Sequence, residues 1–147
     1  MNNLNDIYEK LDWNQPEEIQ EEGRKEASKI EDITLLMQPL YEKRLWDNCA
    51  RVIYKKDDET LIPYLGKLFE WLQDLNWPGA MIIFERLKKF KPENIKLSYE
   101  NTIQEAFNKN DENWLYSLSY LLLNNDELRS KIHKNYLDIL EKNENEY

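Results

Sequence analysis

One cysteine, one histidine and three glycines in 147 residues leave this chain few ways to do chemistry. A lone Cys49 cannot form an intramolecular disulfide, which fits a reducing compartment. Cys49 and His133 together would leave a zinc shell half empty, and Ser130 stands where a di-iron Glu-x-x-His motif ending at His133 would need glutamate. A glycine-rich phosphate loop is missing too, so no metal, no cofactor and no catalytic residue is expected. Apolar runs reach only the five residues from Ala80 to Phe84, far short of the roughly 18 to 20 that span a bilayer. From Met1 to Asp6 the chain lacks the basic and apolar regions of a secretion signal. A cytoplasmic protein with no membrane contact is expected. Alternating strand patterns are absent as well, which excludes a sheet protein.

Basic residues are the scarcer charge. Twenty lysines and arginines face 29 aspartates and glutamates, for a formal net charge of -9. Such a surface repels phosphate backbones and anionic lipid, so nucleic acid is a poor partner. With 41% hydrophobic and 12% aromatic residues, the length suits one folded domain, 1–147, with a substantial core.

What the chain has is helical periodicity. Leu4, Ile7, Tyr8 and Leu11 form an opening stripe. A second helix is predicted from Pro16, with Asn14 as cap and Ile19, Gly23, Ala27 and Ile30 inward. Gly23 costs about 1 kcal/mol against alanine inside a helix, which points to a close helix crossing there. An apolar stretch from Ile33 to Met37 ends before Pro39. Trp46, Cys49, Ala50 and Ile53 share the next face. Asp57 and Asp58 then open one long helix through Leu61, Leu65, Leu68, Leu72 and Leu75, in which Pro63 is tolerable within the first turn. Asn76 is expected to end it in a left-handed conformation, with Pro78 restarting the chain after almost no linker. Further stripes run through Ala80 to Leu87, Tyr99 to Phe107, Trp114 to Leu122, and Leu128 to Leu140, separated by asparagine- and aspartate-rich turns at 108–113 and 124–126.

Four of the five tryptophans, Trp13, Trp46, Trp77 and Trp114, are spaced by 33, 31 and 37 residues. That period suits stacked helical hairpins, each of which needs its neighbour to cover an apolar stripe, with tryptophan as the anchor between units. A small residue stands three positions after three of them: Cys49, Ala80 and Ser117. The fold expected is therefore all-α, a HEAT-like helical-hairpin array, or short α-solenoid, of about seven or eight helices.

The densest segment reads Glu70, Trp71, Leu72, Gln73, Asp74, Leu75, Asn76, Trp77, Pro78, Gly79, Ala80. Here the chain resembles a family of uncharacterised bacterial helical, HEAT-like domains of unknown function, over roughly Asp58 to Phe90. The resemblance implies a helical fold and a bacterial origin, and no activity. It also brings an association with immunity proteins that neutralise bacterial toxins.

Gln73, Asp74, Asn76 and Trp77 crowd a helix junction, where the polar side chains can satisfy free backbone groups. Glu70 and Asp74, four apart, would make a carboxylate pair that is solvated rather than catalytic. Cys49 reads as a buried, inert thiol, and His133 as exposed. Basic residues cluster at 43–56 and 86–96, and Arg51, Lys55, Arg86 and Lys89 are the candidate interaction surface. The function expected is a non-catalytic protein-protein interaction module. The alternative is an enzyme or nucleic-acid-processing protein with its site in the helical groove.

Overall fold

The computed structural model describes residues 3–38 and 42–145, and among them every regular element is helical. Ten α-helices are formed: α1 (Leu4–Leu11), α2 (Glu17–Ala27), α3 (Lys43–Tyr54), α4 (Asp58–Leu61), α5 (Leu65–Glu70), α6 (Ala80–Lys88), α7 (Pro92–Asn108), α8 (Glu112–Tyr120), α9 (Asp126–Lys131) and α10 (Lys134–Asn145). Short 3-10 turns occupy Ile33–Leu36, Ile62–Tyr64 and Trp71–Gln73. Met1 and Pro39 lie outside the described residues.

The helices outnumber the seven or eight expected because two predicted stripes are each interrupted. Between Asp57 and Leu75 the backbone runs α4, a 3-10 turn, α5 and a second 3-10 turn. Pro63 sits in the first of these, beyond the opening turn, where its missing N–H removes a helical hydrogen bond and its ring crowds the preceding carbonyls. The stripe survives the break, with Leu61, Leu65, Leu68 and Leu72 all buried. The last stripe is cut at Ile132, which is extended. The His133 N–H donates to Glu100 Oε2 of α7 at 2.8 Å, and His133 Nδ1 accepts from Asn135 N–H at 3.2 Å. An exposed histidine therefore caps α10.

Local chemistry sets the other boundaries. Asn3, Asp57, Asp111 and Asn125 each accept a first-turn N–H. The Thr60 hydroxyl and N–H that bond Asp57 hold its carboxyl below the ordinary carboxylate range. Asn110 and Asn124 take the left-handed conformation in the two asparagine-rich turns. Asn14 does not cap α2, whose cap position is Pro16, without a side-chain bond. The Gly23 crossing is tight, since a Cβ there would lie 2.7 Å from Lys10 Cβ.

In packing, α1 meets α2, both meet α3, α3 meets α6, and α5 meets α7. Farther on, α7 contacts α8, α9 and α10, so the longest helix is the centre of the C-terminal part. Trp46, Trp71 and Trp77 form an edge-to-face cluster, with Trp46 centroids 6.1 Å from Trp71 and 5.7 Å from Trp77. Trp71 and Trp114 are fully buried. The tryptophan period misidentifies two anchors: Trp13 is 48% exposed, and Trp77 is only partly buried. Trp71, outside the period, is the central one. The small residues Cys49, Ala80 and Ser117 are all buried, where they let neighbouring helices approach.

Candidate functional site

The polar junction ahead of α6 is structural in its bonding. Asp74 Oδ1 accepts the Asn76 N–H at 2.8 Å and the Asp74 carbonyl accepts the Trp77 N–H at 3.0 Å. The Gln73 carbonyl accepts from Asn113 Nδ2 at 3.0 Å. Glu70 ends α5 while Asp74 is extended beyond the 3-10 turn, so the two carboxylates do not share one helix. Asn76 is not left-handed; Gly79 is, at φ 79°. Six residues, 74–79, thus separate the 3-10 turn from α6, rather than the near-absent linker expected.

Arg86 departs furthest from its expected role. It is buried, donating to the Lys56 carbonyl at 2.9 Å and to the Asp58 carboxylate, with its guanidinium 4.6 Å over the Phe90 ring. This arginine ties α6 to the turn before α4 and is not part of a surface strip. Lys89 lies exposed above the Tyr54 ring, its ammonium 4.4 Å from the centroid. Arg51 and Lys55 are exposed near the end of α3.

Those last two side chains line an open groove of about 1000 Å³ between α2, α3 and α6. With α3 between them, α2 and α6 form the two walls. Arg24 and Lys25 stand on α2; Met81, Ile82 and Glu85 on α6; and Arg51, Val52, Tyr54 and Lys55 on α3, followed by Lys56. Arg24, Lys25, Arg51, Lys55 and Lys56 face only Glu21 and Glu85 in the lining. The groove therefore carries an excess of three positive charges on a chain of net charge -9. Arg24 is fixed, donating to Asn48 Oδ1 at 2.6 Å and Glu17 Oε1 at 2.6 Å. Its hydrogen bond holds the Glu17 carboxyl below the ordinary range. Asn48 is buried and donates in turn to the Leu11 carbonyl at 2.7 Å and Gln20 Oε1 at 2.9 Å, which seats the α1–α2 hairpin on α3. Lys56 Nζ donates to the Ser28 carbonyl at 2.7 Å. Arg51 pairs with Asp47 at 3.3 Å. Met81 presents its side chain 49% exposed.

The cations of α2 are absent from the sequence-derived surface. Arg24 and Lys25 lie in an acid-rich segment whose average charge conceals them. A usable signal was the helical spacing of Glu21, Lys25 and Ser28, which puts Lys25 on one face with its lining neighbours.

The groups most displaced in their titration are elsewhere. Burial pushes the Cys49 thiol up to about 12, and burial likewise raises Tyr99, whose hydroxyl donates to the Leu118 carbonyl at 2.6 Å. Neither lines the groove. Among the described residues, no three histidine, cysteine, aspartate or glutamate side chains are placed to hold a metal ion.

A family described as a domain of unknown function, DUF5071, matches residues 43–147. The chain belongs to this family. No curated protein and no solved structure matches it. The DUF5071 match begins at the first residue of α3, so α1 and α2 precede it. The groove is consequently built from both parts, with α3 and α6 inside the DUF5071 span and the cationic α2 wall outside it.

Proposed function

We propose that this chain is a non-catalytic protein-protein interaction module of a bacterial cytoplasm, folded as one HEAT-like short α-solenoid over 1–147. The observation that carries the reading is the groove: open, partly apolar, and locally cationic on an acidic protein. Surfaces of that kind steer and orient an oppositely charged protein partner. The succession α1, α2, α3, α6, each packed on the next, supports the solenoid arrangement. Five buried core residues ahead of the match, Ile7, Leu11, Ala27, Ile33 and Leu36, join the same apolar cluster as the DUF5071 portion, which supports a single unit. No helix among the described residues is long and apolar enough to cross a membrane.

The enzyme alternative has less support, because the groove gathers ammonium and guanidinium groups around apolar side chains, a lining suited to holding an acidic partner. For duplex DNA, Glu21 and Glu85 in the lining and the overall charge count against it.

Affinity capture from native cells tests the reading, using the wild-type chain and an Arg51→Glu/Lys55→Glu double variant as parallel baits. A protein retained by the first and depleted on the second is the expected result. Equal recovery on both, or retention of nothing beyond an inert acidic bait, would overturn it. An immunity role is the special case in which the retained protein is a toxin encoded beside this chain.

A further inference from the structure

The two walls of the groove are chemically unlike. On α6, Met81 is half-exposed and Ile82 partly buried; on α2, Lys25 is exposed and Arg24 is clamped by Asn48 and Glu17. Along α3 between them, Val52 is buried beneath the groove floor, while Arg51 and Lys55 point charge into the solvent-facing side. Neither Lys25 nor Lys55 has an ion-pair or hydrogen-bond partner for its ammonium among the described residues.

We infer that the groove takes an acidic, amphipathic segment of a partner protein, its apolar stripe against Met81 and Ile82 and its carboxylates toward Lys25, Arg51 and Lys55. The inference rests on the protein-interaction reading above and gives that site its ligand chemistry. A helix laid in a groove is read through apolar anchors three and four residues apart, and the cationic wall selects the charge of the flank. The twelve residues of α3 extend about 18 Å, room for about three turns of such a segment. A nucleic-acid strand fits less well: its phosphates repeat without a gap, whereas Glu21 and Glu85 interrupt the cations and the α6 wall is aliphatic. Because α2 lies outside residues 43–147, the preceding hairpin supplies Lys25, whereas Arg51, Lys55 and Lys56 belong to the DUF5071 portion, so both parts contribute to the charge preference.

Selection of phage-displayed peptides of about 16 residues, long enough to fill the groove as a helix, on the full chain tests this. The enriched sequences should be net acidic with apolar residues at helical spacing. The best synthetic peptide, followed by fluorescence anisotropy, should lose affinity on the order of tenfold with Lys25→Glu/Lys55→Glu. Met81→Asp should weaken it too, and added salt should weaken wild-type binding. All three side chains are exposed, and an unchanged circular dichroism spectrum checks that the variants remain folded. Enrichment of neutral or basic peptides, no enrichment, or indifference to both variants overturns the inference. So does tighter groove binding of single-stranded DNA or phosphatidylserine vesicles than of any peptide. Peptides that bind another face overturn it while leaving the broader module reading standing, whereas the capture experiment bears on that reading alone.

Discussion

The Trp71 indole N–H donates to the carbonyl of Pro78 at 2.9 Å, so one side chain both fills the core and closes the loop that leads into α6. Trp71 is fully buried and meets Trp46 edge to face. Trp71→Ala should cost about 3 to 5 kcal/mol, as large aromatic truncations in cores do. Trp77→Ala, at the partly buried edge of the cluster, should cost about 1 to 2 kcal/mol, because less area leaves water. Urea denaturation of the two variants checks the order; equal losses would show that Trp77 anchors the junction as strongly as Trp71.

Two glycines should respond to alanine with opposite signs. Gly79 has φ 79°, and a Cβ there would stand 2.8 Å from both Ala50 Cβ and the Trp46 carbonyl oxygen. Left-handed strain alone costs about 1 to 2 kcal/mol, and the backbone contact cannot yield, so Gly79→Ala should exceed that range. Gly66 lies within α5 with nothing within 4 Å of its added Cβ. Gly66→Ala should stabilise by about 0.5 to 1 kcal/mol through a less flexible unfolded chain. Thermal melting of the pair separates the two effects.

Sequence periodicity located the helices because it reads a local property. The leucine stripe from Leu61 to Leu72 is buried as its spacing requires. The interruption at Ile132 was not legible, since the competing acceptor, Glu100, arrives from 33 residues away. Arg86 shows the same limit: nothing in its neighbourhood distinguishes it from Lys88 or Lys89, yet it alone of the three is buried. Tryptophan spacing likewise carries no information on which indole a neighbouring helix covers, which is why Trp13, inside the period, is half-exposed while Trp71, outside it, is fully buried. Half of the groove was legible, through Arg51 and Lys55; the α2 wall required the tertiary contact with α3.

Cys49 should be silent to thiol reagents in the folded chain. Burial pushes its thiol up to about 12, leaving it protonated at pH 8 and out of reach. Labelling at that pH should run at least about a hundredfold slower than in urea, because it requires opening of the core. The sign of the pH dependence follows from the same shift. The contribution is fully present below the unfolded thiol's ordinary value of 9.0 and is lost as pH rises toward about 12, since the unfolded chain gives up its proton first. Tyr99, raised in the same direction by burial, reinforces the loss. Rapid labelling of native protein at pH 8, or stability that climbs above pH 9 in a Cys49-dependent way, would contradict this placement.

Arg86 and Arg51 offer the sharpest separation of fold from surface. Arg86 has a side chain 6% exposed and shares Asp58, 37% exposed, with the solvent. Arg86→Glu would face that carboxylate with another and leave the Lys56 carbonyl without its donor. Breaking a buried pair costs about 3 to 5 kcal/mol, and the partial exposure of Asp58 reduces this to about 2 to 4. Arg51→Glu loses only an exposed helical pair with Asp47, so its stability should stay within about 0.5 kcal/mol of wild type. At roughly 2 to 4 °C per kcal/mol for a chain of this size, calorimetry should lower the melting temperature of the Arg86 variant by about 4 to 16 °C and barely move the other. If both variants melt with the wild type, Arg86 is a surface cation after all and belongs in the interaction strip. If only the Arg86 variant falls, then loss of partner binding on its reversal reports unfolding, and the interface must be mapped with Arg51, Lys55 and Lys25.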